Sequence, residues 1–418
     1  MAVNTESLIA AIDVGSSKVA CLIARISPSN EIRVLGVGNR LCEGVAGGVV
    51  VDMEAVELAI RASVDQAEKM AGRTVSEVFL SFSGGEPKTH IVETEIDIKG
   101  EAVTEADVAK VIDKAKGMID AGNEAVLHTF PAALSVDGTF GVTSPIGMFG
   151  NSLGIALLAV TVQKGPLKNL EACIRRAHLN VVDVVLSPYA AGLSVLDEDE
   201  LKMGVACVDM GGGTTGISVF ARGALVHSEV LPLGGGQITD EVARKFLTPF
   251  DQAERLKTFM GSAITDSADA RLEIEVTQVG EATGKENIAR MPRSDLTDLV
   301  QKELELLFAT VGEHLDASGF SGVAGRRVVL TGGVAQTEGI RDFASQILGR
   351  RVRVGTPKII SGLPQAAQGP AFATTVGLLL HAASLPSEER SLREQAKLQE
   401  MQKKGLLGRL GLWMKENF

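Results

Sequence analysis

The sequence predicts an α/β fold made of two duplicated halves, with a smaller α+β subdomain inserted into the first. Three observations carry that expectation. A chain of 418 residues with 45% hydrophobic content is longer than one core usually serves. A pattern of strand, Asp-x-Gly with small residues, strand, turn and strand occurs once in each half, and such self-similarity marks a repeat. A third buried-type strand, Val328 to Thr331, runs into Gly332-Gly333.

Composition removes several function classes. The formal net charge is −11, and phosphate contacts along a nucleic acid need a cationic footprint, so no nucleic-acid partner is expected. The four cysteines, Cys21, Cys42, Cys173 and Cys207, show neither CxxC spacing nor a nearby His in metal-ligand register, and read as buried free thiols. Met1 to Val14 has no basic segment and its apolar run is broken by Asp13, which argues against a secretory signal. No apolar run reaches the ~18 residues of a membrane span.

The first copy of the repeat is an apolar strand ending in Asp13, then Val14-Gly15-Ser16-Ser17-Lys18, a second strand from Val19 to Ile26, a Ser27–Asn30 turn, and Ile32 to Val37. The second is a strand ending in Asp209, then Met210-Gly211-Gly212-Gly213-Thr214-Thr215, a strand to Phe220, the Arg222-Gly223 turn, and Ala224 to Leu231. Glycines let backbone N–H groups approach an oxyanion without Cβ interference. Ser16, Ser17, Thr214 and Thr215 add hydroxyl donors. A carboxylate at each strand end suits a hydrated Mg²⁺, which takes few protein ligands. Two such hairpins facing each other would hold a polyphosphate and its metal between two lobes. Lys18 either neutralises phosphate charge there or is a solvated strand residue. Small residues at Gly332-Gly333 would let backbone approach a flat base or ribose.

Between the first hairpin's lobe and Ser187-Pro188, Val78 to Gly85 reads as a strand entering a loop. Val92, Thr94, Ile96 and Ile98 alternate with charged residues as in a half-exposed strand. Thr104-Glu105-Ala106-Asp107 resembles a capping box opening a helix to about Asp120, and strand-like runs follow near 125–136 and 153–162. In the second half, Gly234-Gly235-Gly236-Gln237 precedes a helical pattern. Glu254 and Lys257 share a helix face three residues apart. Ile274-Glu275-Val276 is strand-like, and Asn287 to Ser294, with Arg290 and Arg293, reads as a loop.

The C-terminal stretch contrasts with the acidic total. Ser384 to Gln402 is polar and reads as a linker or solvated helix. From Lys403 to Phe418 there are four basic residues and one acidic. At 100° per residue, Leu406, Leu407, Leu410, Trp413, Met414 and Phe418 share one apolar arc. Arg409, Lys415 and Glu416 lie opposite, and Leu412 departs from the pattern. A basic amphipathic helix of this kind suits the interface of an anionic bilayer. The other reading is a terminal helix docked on its own domain; the polar linker before it favours the membrane.

The set Asp13-Val14-Gly15-Ser16-Ser17, Asp209 to Thr215 and Leu330-Thr331-Gly332-Gly333 resembles the phosphate-1, phosphate-2 and adenosine motifs of the actin/hexokinase/DnaK ATPase superfamily. Ser187-Pro188-Tyr189-Ala190-Ala191-Gly192 and Ala373-Thr374-Thr375-Val376-Gly377-Leu378 are similar to its two connecting helices. With the insert and the tail, the chain resembles the FtsA family of bacterial cell-division actin homologues. The resemblance implies an actin-like two-lobed ATPase fold with duplicated RNase-H-like cores, and ATP with Mg²⁺ held between Asp13 and Asp209. It implies a first core lobe from 1–84 and 165–202, an inserted filament-contact subdomain at 85–164, and a second core lobe from 203–243 and 306–384. It further implies a small subdomain at 244–305, a linker at 385–402 and an amphipathic membrane-targeting helix at 403–418. Glu254 and Lys257, with Gly235, match the pair that reaches ribose and base in DnaK-like members. The small subdomain would hold the C-terminal peptide of FtsZ, the tubulin-like division protein, with Arg290 and Arg293 gripping its carboxylates. The other implied partners are copies of itself in a filament, anionic membrane lipids and downstream divisome proteins. The implied location is the cytoplasmic face of the inner membrane at the division septum. Ser187 stands where DnaK-like members carry a glutamate before the proline of the first connecting helix, and Asp183 stands about where a water-positioning glutamine belongs in an actin-style alignment. Hydrolysis needs a group to orient water, so binding with slow or absent turnover is expected.

Overall fold

Each half begins with an antiparallel meander, because an apolar strand is broken by a Gly-small turn and returns on itself. In the first half these strands are β1 (Ser7–Val14), β2 (Lys18–Ile26) and β3 (Ile32–Leu41). The short pair β4 (Val45–Ala46) and β5 (Val49–Val50) leads into helix α1 (Met53–Ala71). Asp52 caps α1 by accepting from the N–H groups of Glu54 and Ala55. The strand β6 (Glu77–Phe82) then lies parallel to β1. The computed structural model describes residues 7–142, 144–266, 269–279, 288–320, 322 and 326–385.

The insert follows at once: β7 (Lys88–Asp97), α2 (Glu105–Gly117), β8 (Glu124–Val136), β9 (Thr139–Val142) and β10 (Ser152–Gln163). They form one sheet in the order β7-β10-β8-β9. Thr104 and Asp107 make the reciprocal capping box expected from the sequence. The central strand β10 is buried along nearly its whole length, whereas β7 alternates, so one of its faces meets solvent. The chain re-enters the first lobe through α3 (Lys164–Arg176) and β11 (Asn180–Leu186), completing a sheet of order β11-β6-β1-β2-β3.

After α4 (Ser187–Val195) and α5 (Glu198–Met203), the second meander is β12 (Val205–Met210), β13 (Thr215–Ala221) and β14 (Ala224–Leu231). The helices α6 (Gly235–Phe246) and α7 (Phe250–Met260) come next. The small pair β15 (Glu273–Thr277) and β16 (Ile288–Pro292) follows, then the long α8 (Arg293–Ala317). Arg290 is therefore on a strand and Arg293 opens a helix, which corrects the loop expected there. The strand β17 (Arg327–Thr331), α9 (Ile340–Leu348) and β18 (Arg351–Val354) close a second sheet of order β14-β13-β12-β17-β18. Both core sheets thus have three meander strands followed by two parallel strands, as duplication requires.

The two connecting helices are exchanged between lobes. From α4, Ala191 and Val195 pack with Cys207, Phe220 and Val329 of the second sheet. The last helix, α10 (Ala373–Ser384), packs Val376, Leu379 and Ala383 with Ile9, Ala11 and Leu22 of the first. The helices cross so closely that a Cβ on Gly377 would collide with the Ala190 carbonyl. All four cysteines are buried and free. Among the described residues, no helix is long and apolar enough to cross a membrane. Leu406, Leu407, Arg409, Leu410, Trp413, Met414, Lys415 and Phe418 lie outside the described residues.

Candidate functional site

The two meanders bring their first turns face to face. In each turn a glycine N–H closes back on the chain: Gly15 N–H donates to Lys18 O at 2.9 Å, and Gly211 N–H to Thr214 O at 2.8 Å. A Cβ on Gly213 would strike Ser16 Oγ, so only glycine allows this approach. The resulting cleft encloses about 680 Å³ of empty space, open solvent at its mouth included.

Most of the residues expected from the sequence meet there. Asp13, Gly15, Ser16, Ser17 and Lys18 line one wall; Asp209, Gly211, Gly212, Gly213 and Thr214 line the other; Gly332 and Gly333 complete it. The second wall is braced from behind, since Gly235 N–H donates to Gly211 O at 2.9 Å and Gly236 N–H to Gly212 O at 2.6 Å. Lys257 Nζ in turn donates to Gly235 O (2.9 Å), Thr239 Oγ1 (2.7 Å) and Glu254 Oε2 (2.6 Å). Glu254 and Lys257 therefore hold the loop that backs the cleft. Thr239 joins them through its own hydrogen bond to Glu254.

Charge in the cleft is unbalanced. Burial raises the Asp13 carboxyl pKa, against a Ser81 hydroxyl that donates to its Oδ1 at 2.5 Å. Burial pushes Asp209 up to about 7, with the Asp13 charge adding and the Thr374 hydroxyl, at 2.9 Å from Oδ2, opposing. Burial lowers the Lys18 pKa while both carboxylates oppose. Lys18 Nζ donates to Ala371 O at 2.7 Å and sits 3.9 Å from the Phe372 ring centre. Two carboxylates and one ammonium with little water around them make a site that a divalent cation and an anion would jointly neutralise.

Three expectations are corrected. Thr215 is fully buried and donates to Leu233 O at 2.8 Å, because its strand position points into the core rather than the cleft. Asp183 meets His381 Nε2 at 3.3 Å on α10, about 10 Å of helix from Thr374, so it does not orient water at the cleft. Arg293 is committed to Asp269 at 3.2 Å and Glu338 at 3.5 Å, so of these two arginines Arg290, paired with Glu275 at 2.9 Å, is the mostly exposed one. Two residues were missed. Ser81 and Thr374 hold the two carboxylates, and the signal for the first was a lone hydroxyl in the buried strand Val78–Phe82. Thr374 lies in the run that resembles the second connecting helix, and nothing local in that run marks it as a partner of Asp209.

Comparison with known proteins agrees with this geometry. The family described as "Cell division protein FtsA" matches residues 206–377, and "SHS2 domain inserted in FTSA" matches 84–161. The chain is 39% identical over 421 residues to "Cell division protein FtsA" of Rhizobium meliloti (strain 1021), covering 98% of this chain and 95% of that one. Among solved structures, the "PilM-PilN type IV pilus biogenesis complex" superposes with a TM-score of 0.62 at 15% identity, over 90% of this chain and 99% of that one. MreB5 of Spiroplasma citri bound to ADP gives 0.54 at 14% identity, over 93% and 98%. The duplicated sheets, the insert between β6 and α3 and this full-length similarity lead to one conclusion: the chain belongs to the FtsA family of actin-like cell-division proteins.

Proposed function

We propose that the cleft binds ATP with Mg²⁺ and that the protein tethers the FtsZ ring to the cytoplasmic membrane as a membrane-bound filament. The observation that carries the nucleotide reading is the convergence of two Gly-turn hairpins with Asp13 and Asp209 on one cleft. The residues fit the group. Gly213 leaves a cradle that a Cβ would fill, and among the described residues Lys18 is the cation beside the two buried carboxylates. No cluster of three metal-ligating side chains occurs among the described residues. A Mg²⁺ held here would draw most ligands from water and phosphate, which is its usual habit. Lys18 would face the phosphates, Gly332 and Gly333 the nucleoside, and Glu254 with Lys257 would fix the loop at Gly235 beside it. MreB5, which shares the fold, has been solved bound to ADP.

Turnover is slow on this reading. Ser187 lines the cleft without a titratable group, and Asp183 is engaged elsewhere. The insert at 85–164 serves filament contacts and the small subdomain at 244–305 takes the FtsZ C-terminal peptide. Arg290 is the better candidate for its carboxylates, because an exposed pair such as Arg290–Glu275 is weak and exchanges readily. The tail from Lys403 anchors the protein peripherally to anionic lipid on the cytoplasmic face of the inner membrane at the septum, where it recruits further divisome proteins. Co-sedimentation with anionic liposomes tests the tether. The full chain pellets, while a truncation before Lys403 and Trp413→Glu stay in solution. Equal pelleting of the truncated chain would end the tether reading.

A further inference from the structure

The insert touches both lobes. Its edge strand β7 lies against β14, the edge of the second sheet. There Thr89 Oγ1 donates to Ser228 O at 2.7 Å and accepts from Ser228 N–H at 3.3 Å. This is a two-way bond to the backbone of a residue that is itself buried. On its other side, β8 sends His128 to the start of α4, where Nε2 accepts the Leu186 N–H at 2.9 Å. An acceptor nitrogen requires neutral imidazole, and burial with the nearby His381 keeps the His128 pKa down at about 4. The Phe130 ring lies 4.7 Å from that of Tyr189 of α4, tilted 48° to it, and Tyr189 meets His381 of α10 at 5.9 Å. The residues that follow Leu186, Ser187 and Pro188, line the cleft, as does Thr374 at the other end of α10.

A body fastened to both lobes cannot stay indifferent when the lobes move. We infer that Thr89 and His128 are positioning residues, which fasten the insert to the second lobe and to the first connecting helix and so link cleft closure to the posture of the insert. The linkage is reciprocal: whatever closes the cleft stabilises the fastened insert, and releasing either fastener loosens the cleft. The ligand arm of this inference rests on the proposed nucleotide reading; the exchange arm does not.

The test compares full-length wild type with Thr89→Val, which keeps shape and loses both bonds, and with His128→Leu and His128→Gln. Thr89→Ser, which keeps the hydroxyl, is the folding control. Without nucleotide, hydrogen exchange is read at α4 and at Ser228. Thr89→Val is expected to speed exchange in α4 at least roughly threefold, and His128→Leu to do the same at Ser228, as loss of one hydrogen bond allows. With Mg²⁺–ADP, both variants bind roughly threefold to tenfold more weakly, while His128→Gln and Thr89→Ser stay within about twofold of wild type. Unchanged exchange at the opposite fastener overturns the inference, as does unchanged affinity in Thr89→Val and His128→Leu when wild type binds. If wild type itself does not bind Mg²⁺–ADP, the cleft reading fails and the exchange result alone decides the fasteners.

Discussion

In the first sheet Ser81 follows Leu80, the partner of Ile12, and reaches Asp13; in the second, Thr331 pairs with Asp209 in register but turns its hydroxyl to the carbonyls of Gly355 and Pro370. Asp209 is held instead by Thr374, from a helix. The turns differ in the same way. Equivalent positions hold Lys18 in one hairpin and Thr214 in the other, so the first half supplies the cation and the second the bare glycines. Duplication thus kept the backbone and the aspartates, while the groups that tune them diverged. The two carboxylates are not interchangeable, and paired variants expose the difference.

The largest effect is expected at Asp209. Its pKa of about 7 in the fold against 3.8 means that the folded state keeps a proton the unfolded chain has lost. Stability from this group is present below pH 3.8 and is lost as pH rises towards 7. Asp209→Asn should therefore stabilise the nucleotide-free protein at pH 8 by up to about 4 kcal/mol, at about 1.4 kcal/mol per pH unit. The gain shrinks towards pH 4, as denaturant melts across that range would show. A gain independent of pH would contradict the burial argument. Asp13→Asn moves the same way, since burial raises that carboxyl too.

Next comes the helix crossing. A methyl on Gly377 meets the backbone of Ala190, whereas one on Gly192 meets the Phe220 ring, which can shift. Gly377→Ala should cost about 3 kcal/mol and Gly192→Ala about 1 kcal/mol in thermal unfolding. The reverse order would mean that the α4–α10 crossing yields more readily than the Phe220 ring.

The smallest effect separates the equivalent hydroxyls. Ser81→Ala, which loses its bonds to Asp13 and to the Val14 N–H, and Thr331→Val, which loses its contacts with the Gly355 and Pro370 carbonyls, should each cost about 1–2 kcal/mol of stability. Only Ser81→Ala should shift the Mg²⁺ concentration needed for nucleotide binding, because only Ser81 touches a carboxylate of the cleft. A shift in both would show that the two halves still act alike.

The repeat was legible because two glycine turns and two strand-end aspartates leave a local mark in the sequence. The insert was legible for the same kind of reason: Thr104 and Asp107 cap a helix three residues apart, and β7 alternates with period two. What escaped depends on register or on distant partners. Thr215 looked like one more hydroxyl, yet the Gly211–Thr214 closure makes Thr214 the counterpart of Lys18, so Thr215 matches the buried Val19. Asp183 meets His381 across 198 residues of chain, and no local pattern reveals such a pair. Arg293 looked free because Asp269 and Glu338 are both remote from it in sequence.

Nucleotide binding is expected in the cleft between Asp13 and Asp209. Calorimetric titration of the full chain with ATP, with Mg²⁺ and with chelator, measures it directly, alongside Asp209→Asn and Gly213→Val. The expected result is one saturable site in wild type, dependent on Mg²⁺ and lost in both variants while they remain folded. Equal binding in wild type and Gly213→Val, or no binding to folded wild type, would contradict it.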